Sequence, residues 1–278
     1  MTLVRRPAPT AVTPWRGSAT DTGRRSAALE PALELARQVT VVGLAILLYF
    51  GVRGLTQGDH ATAVAHGFDV LAIERRLGLD REHWAQGLIV DRPVLTMVWN
   101  WIYIWGHWPV IAATLIWLHR ADRRAYLVLR NALCLSGAIG LVIFASYAVA
   151  PPRLMPIGLV DTVTEHSTSY RVLQPPALVN RYAAVPSLHV GWNLLIGVAL
   201  WRASRRRLIR AVAVAGPVLM ATAVVVTANH YVIDGMVGAA VALTGWALSG
   251  RLTPRLVAAD ARLRARVASW SRRRAGAW

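Results

Sequence analysis

Apolar residues gather along the chain in six runs, roughly 38–57, 93–118, 126–150, 183–201, 208–229 and 233–250. Each approaches the ~20 residues an α-helix needs to cross the hydrocarbon core of a bilayer, where a helix satisfies its own backbone polar groups. The pattern predicts an all-α polytopic membrane protein with six transmembrane helices. Arg53 breaks the first run near its end, a place where a long side chain can carry its charge to the interface. Only His230-Tyr231-Val232 separates the fifth run from the sixth. Two connecting segments are too long for turns. Within residues 58–92, Val64, Phe68, Leu71 and Leu77 recur on a roughly helical period, predicting an amphipathic helix on the membrane surface. Residues 151–182 are Pro-rich and irregular, which suits a loop over a binding site.

Polar ends frame this membrane domain of residues 38–250. Residues 1–37 are rich in Arg, Pro, Ser and Thr, with no apolar stretch close to Met1. They read as a flexible tail rather than a cleavable signal peptide. Residues 251–278 form a second Arg-rich tail. Charge then sets the orientation. All 31 basic side chains are Arg, against 14 acids, for a net charge of +17. Most of the Arg fall in four places: the 1–37 tail, the stretch from Arg120 to Arg130 after the second run, the stretch from Arg202 to Arg210 after the fourth, and the 251–278 tail. Six crossings put all four on one side of the bilayer, and an Arg excess marks the cytoplasmic side. Both termini are therefore expected in the cytoplasm, with 58–92 and 151–182 outside the cell membrane. Trp99, Trp101, Trp105 and Trp108 in the outer half of the second run, and Trp117 and Trp201 near inner ends, fit interfacial aromatic belts. Because the Arg sit between apolar runs rather than on one soluble face, they speak for topology and lipid headgroups and against a nucleic-acid partner. The lone Cys134 excludes an intrachain disulfide or a Cys-rich metal site.

The same parity gathers chemistry. The third run ends outside in YAVAPPR, which carries Arg153; the fourth begins outside with Ser187 and His189; the fifth returns outside in TANHYVID, which carries His230 and Asp234. His230 and Asp234 are four apart and so are neighbours on a helix. A carboxylate that accepts one imidazole N–H leaves the other ring nitrogen free to attack. His189 suits a general acid that protonates a departing oxygen. Arg153 offers a planar, permanently charged fork for phosphate oxygens. Ser187 and the amides at the start of its helix add donors for an anion, although Ser187 also suits a plain N-cap. Together these side chains make a phosphoryl-transfer set with a phosphohistidine as its covalent intermediate. Asn100 and Tyr103 share a helical face and either line the path of a substrate or hydrogen-bond between helices. His107, near Pro109, reads as a helix-packing residue.

APPR at 150–153, YAAVPSLHVGW at 182–192 and TANHYVIDGMVG at 227–238 resemble the three signature segments of the type 2 phosphatidic acid phosphatase superfamily. More closely, they resemble its branch related to fungal inositol phosphorylceramide synthase. The likeness extends over roughly 60–250, with IERRLGL at 73–79 and WNWIYIWGHWPV at 99–110. It implies a six-helix membrane enzyme with no metal and no cofactor, acting on a lipid phosphate of phosphatidyl or polyprenyl type. It further implies His230 as nucleophile, Asp234 as its orienting partner, His189 as acid and base, and Arg153 as a phosphate binder. Water as acceptor would make a phosphatase, an alcohol a phospho-alcohol transferase. Two positions depart from the pattern, which has Lys where Ser146 stands and Arg where Val224 stands. Arg181 or Arg171 in the 151–182 loop is expected to complete the phosphate site instead. Taken on residue chemistry alone, His189, His230 and Asp234 also suit zinc, and paired imidazoles suit haem; Arg153 beside them would repel a cation. A transporter has less support, since neither an inverted repeat nor mid-bilayer polar residues stand out.

Overall fold

The computed structural model describes residues 19–56, 58–166 and 180–275, and every regular element among them is a helix. In chain order these are α1 (Ala19–Leu55), α2 (His60–Leu77), α3 (Glu82–Gly87), α4 (Pro93–Trp105), α5 (Trp108–Ala121), α6 (Arg123–Ser146), α7 (Thr162–His166), α8 (Leu188–Ala203), α9 (Arg207–Val226) and α10 (Val232–Ala275). The chain divides into a unit ending at Leu44 and a second running from Ala45; the packing and the cavity described below lie in the second. The helix over 19–37 and the continuation of α10 past residue 250 put helical backbone into stretches that composition alone marks as tails.

Among the described residues, four helices are long and apolar enough to cross a membrane: Ala32–Leu55, Arg123–Ser146, Arg207–Val226 and Val232–Ala259. The second apolar run is not one straight helix. It is split into α4 and α5, bent by 44° at Gly106-His107, and counting that pair as one span brings the number to five. Pro109 in the first turn of α5 explains the break, because a proline ring has no N–H to give and clashes with the preceding turn. The fourth run also departs from expectation. Its helix starts only at Leu188 and is 16 residues long, roughly 24 Å at 1.5 Å per residue and short of the ~30 Å core. The missing turn is spent elsewhere: Ala183 bridges Val149, and the Ala184 amide donates to the Val149 carbonyl. Pro186 then precedes Ser187, whose side chain caps the helix at Val190.

Segment 58–92 does hold a helix, but its inward face differs from the apolar stripe. Asp59 caps α2 by accepting from the Thr62 amide, and left-handed Gly78 (φ 69°) ends it. The buried positions are Ala63, Gly67, Val70, Leu71 and Glu74, while Phe68 and Leu77 of the stripe are exposed. Hydrophobicity loses its power to mark the inner face where the outer one can meet lipid rather than water.

One crossing does most to position the site. A methyl group at Gly191 of α8 would strike the Gly238 carbonyl of α10, and one at Gly238 would strike the Ser187 carbonyl. Small residues at both positions let the two backbones touch. This draws the first turn of α8, with His189, against the first turn of α10, with Asp234. Beneath them a core of Tyr49, Leu129, Leu133, Phe144, Leu188, Trp192 and Leu195 packs α1, α6 and α8 together.

Candidate active site

The segment between α9 and α10 is a tight turn. The Asn229 and His230 amides both donate to the Val224 carbonyl, each at 3.0 Å, and Ala228 takes a left-handed φ of 52°. This turn throws the His230 ring toward Ala184. His230 Nδ1 lies 2.9 Å from the Ala184 carbonyl oxygen and 3.3 Å from Asp234 Oδ2. A peptide carbonyl only accepts, so Nδ1 carries the hydrogen, and the lone pair of the neutral ring resides on Nε2. Asp234 is fully buried. Its Oδ2 also accepts from the Tyr231 amide at 2.9 Å, while its backbone carbonyl accepts from the Ser187 amide at 2.9 Å. A single aspartate thus ties the imidazole of His230 to the start of α8.

His189, in the first turn of α8, sits in a stack of rings. Its imidazole lies against Tyr103 (centroids 4.6 Å, 23°) and His107 (4.2 Å, 36°), and His107 stacks in turn on Trp192 at 5.6 Å. The His189 and His230 centroids are 5.8 Å apart. Asn193 Nδ2 donates to the His189 carbonyl at 3.0 Å and lies 3.4 Å from His107 Nδ1. The bend between α4 and α5 is what carries His107 inward to this stack. Sequence reasoning took His107 for packing alone; an imidazole at a proline-broken point of an apolar run was the available signal.

Arg153 is pinned from both ends. Its amide donates to the Ala228 carbonyl at 2.9 Å, and its Nε donates to Asp161 Oδ2 at 3.2 Å. With 11% of its side chain exposed, it shares one small cavity of about 40 Å³ with His189, His230, Tyr103 and His107. Arg181 lines the same cavity from an exposed position, beside buried Asn180. Ser187 is buried and is not among the lining residues; its hydroxyl faces the Val190 amide. Ser146 donates back to the Val142 carbonyl, and Val224 packs in an apolar cluster, so neither reaches the cavity. Arg171 lies outside the described residues. Arg53, read from the sequence as an interfacial anchor, lines the cavity as well. Among the described residues no three His, Cys, Asp or Glu side chains are placed to share a metal ion.

Behind the His230–Asp234 pair lies a second group that the residue patterns did not single out. The amides opening α10 are each met by a carboxylate: Tyr231 by Asp234, Val232 by Glu82 Oε1 at 3.2 Å, and Ile233 by Glu74 Oε1 at 2.7 Å. A helix start leaves such donors without intrahelical partners, and here α2 and α3 supply them. Glu74 and Glu82 are fully buried. Burial pushes the Glu74 carboxyl up to about 9, with Glu82 and Asp234 adding to the shift, and burial raises Glu82 too. The folded protein therefore holds a proton that the unfolded chain releases above a pKa near 4.3. The unfolded state binds fewer protons between about 4.3 and 9, so stability falls as pH rises through that window and levels off beyond it. Glu74→Gln keeps an acceptor for the Ile233 amide and removes the titration. Thermal unfolding in detergent from pH 5 to 9 is expected to show a flatter profile for this variant, with a gain of about 1–2 kcal/mol over the parent at pH 8.5. Parallel profiles would show that Glu74 is ionised throughout.

Comparison with known proteins adds a family. The model of the PAP2 superfamily matches residues 68–248, from α2 into α10 and beginning after α1. No curated protein and no solved structure gave a match. On a match that takes in well over half of its length, the chain belongs to the PAP2 superfamily, membrane phosphatases and phosphotransferases that act on lipid phosphates.

Proposed function

We propose that the protein is a metal-independent phosphatase or phospho-alcohol transferase that works on a lipid phosphate at the outer leaflet, through a phosphohistidine. The observation that carries this reading is the hydrogen bond from His230 Nδ1 to the Ala184 carbonyl, because it leaves Nε2 as the nucleophilic nitrogen. In the first step Nε2 attacks phosphorus and the bond to the lipid oxygen breaks. The leaving oxygen takes the electron pair and a proton from His189, and Asp234 stabilises the imidazolium on His230. In the second step His189 removes a proton from water or an alcohol, whose oxygen attacks phosphorus and releases His230. Arg153 balances the charge on the equatorial oxygens. Guanidinium groups supply the positive field that a metal ion supplies in other phosphoryl-transfer sites.

Sidedness follows from charge. α6 and α9 begin at Arg123 and Arg207 and end beside the cavity, while α8 and α10 begin there. The cavity thus lies at the end of the bundle away from the Arg-rich connections, which supports an extracytoplasmic site and, with the bent pair and α8 each crossing, six spans with both termini inside. The test is a labelled lipid phosphate offered to purified protein with and without candidate alcohols, in EDTA. Expected are an acid-labile phosphoenzyme and product release that survives chelation. With a lipid phosphomonoester, a phosphate ester of the added alcohol assigns a transferase and free phosphate alone assigns the phosphatase. With a lipid phosphodiester, a new phosphodiester between the headgroup and the added alcohol assigns the inositol phosphorylceramide synthase-like branch. Loss of turnover in EDTA, or a Soret band in the purified protein, overturns the metal- and cofactor-free mechanism.

A further inference from the structure

We propose that Arg53, in the last turn of α1, is a phosphate-binding residue of the cavity and not a lipid anchor. The inference rests on the reading of the cavity as a phosphoryl site, and it concerns a helix that lies outside the matched range of the family. Arg53 lines the same cavity as His189, His230 and Arg153. Its Nε is buried and has no hydrogen-bond partner, and among the described residues no carboxylate pairs with it. The Tyr49 ring stands 6.0 Å from its guanidinium carbon and the Tyr49 hydroxyl accepts a hydrogen bond from the same group, contacts that steady a cation without neutralising it and leave Nε free.

Arg153 offers an internal comparison. It already spends its Nε on Asp161, so part of its fork is occupied before any ligand arrives. A buried guanidinium N–H without an acceptor is costly, and a protein anchor at a lipid interface would turn that group outward. An incoming dianionic phosphoryl group supplies both the missing acceptor and the missing counter-charge. Arg53 approaches from α1 and Arg153 from the turn after α6, so the two forks meet the phosphoryl oxygens from separate elements. Arg181 adds a third cation at the exposed rim.

The experiment compares the parent protein with Arg53→Met and Arg53→Lys in detergent. The shift in thermal unfolding caused by inorganic phosphate, and by a short-chain phosphatidic acid, gives the affinity for each. The parent is expected to be stabilised by both ligands. Arg53→Met should unfold no lower than the parent without ligand, because an unpartnered buried donor is removed. It should bind both ligands about tenfold or more weakly, the loss of roughly one charge-assisted contact. Arg53→Lys should recover part of the affinity, since it restores charge but not the fork.

Several outcomes overturn the proposal. An Arg53→Met protein that unfolds markedly lower, or fails to fold, makes Arg53 structural. Unchanged phosphate affinity in that variant, or no phosphate-induced shift in the parent, removes the site. Weakened binding of the lipid alone would place Arg53 against the glycerol or the chains rather than the phosphate. Arg53-dependent phosphate binding in a protein without any turnover would leave this site standing while removing the catalytic reading.

Discussion

His230→Ala is expected to abolish turnover, with a loss on the order of 10⁴-fold or more, because the proposed mechanism forms its covalent bond to phosphorus at His230 Nε2. The structural cost is smaller. The substitution leaves the Ala184 carbonyl and Asp234 Oδ2 without the Nδ1–H they share, a penalty of about 1–3 kcal/mol. Asp234 retains the Tyr231 amide, and α8 remains held through the Ser187 amide. Release of labelled phosphate, together with a melting curve, separates the two effects. A folded His230→Ala protein that keeps activity within tenfold of the parent would remove His230 as the nucleophile.

His189→Ala has the second largest expected effect, and its dependence on the leaving group is more telling than its size. A lipid alkoxide leaves poorly and needs a proton, so turnover of a lipid phosphate should fall by about 10²–10⁴-fold. An aryl phosphate with an acidic phenol needs no such help in the first step. That substrate should still phosphorylate His230, and the phosphoenzyme should accumulate because the second step lacks its base. Rapid-quench labelling reads the accumulation directly. His189 also packs between Tyr103 and His107, so His189→Asn serves as a second variant with less loss of volume. Equal losses on lipid and aryl substrates, with no trapped intermediate, would show that His189 holds the cavity in shape and carries no proton.

The two assignments differ in how readily the chain discloses them. The helical class, and the presence of His189, His230 and Asp234 near helix starts, were legible because hydrophobic run length and i,i+4 spacing are local properties. The Nδ1 tautomer of His230 was not, since its deciding partner is a carbonyl 46 residues away in sequence. Ser187 belonged to both readings at once, and the structure shows its hydroxyl at the Val190 amide. Nothing in the local pattern around Glu74 and Glu82 marks them as buried. Only the docking of α2 and α3 beneath α10 turns them into buried acceptors for its first amides.

What the amino-acid order determined by itself is the all-helical membrane character, the Arg-rich connections between the apolar helices, and the supply of imidazoles, carboxylate and guanidinium on segments that share one end of the bundle. These follow from transfer free energy and charge, which each residue carries wherever it sits. What the tertiary structure decided is which apolar run bends, where α8 really begins, and which polar groups meet. Arg53 and His107 join the cavity because α1 and the α4–α5 bend deliver them there, and the close crossing at Gly191 and Gly238 sets the 5.8 Å between the two rings. Such encounters depend on packing between elements distant in sequence, and no local pattern of hydrophobicity or charge encodes them.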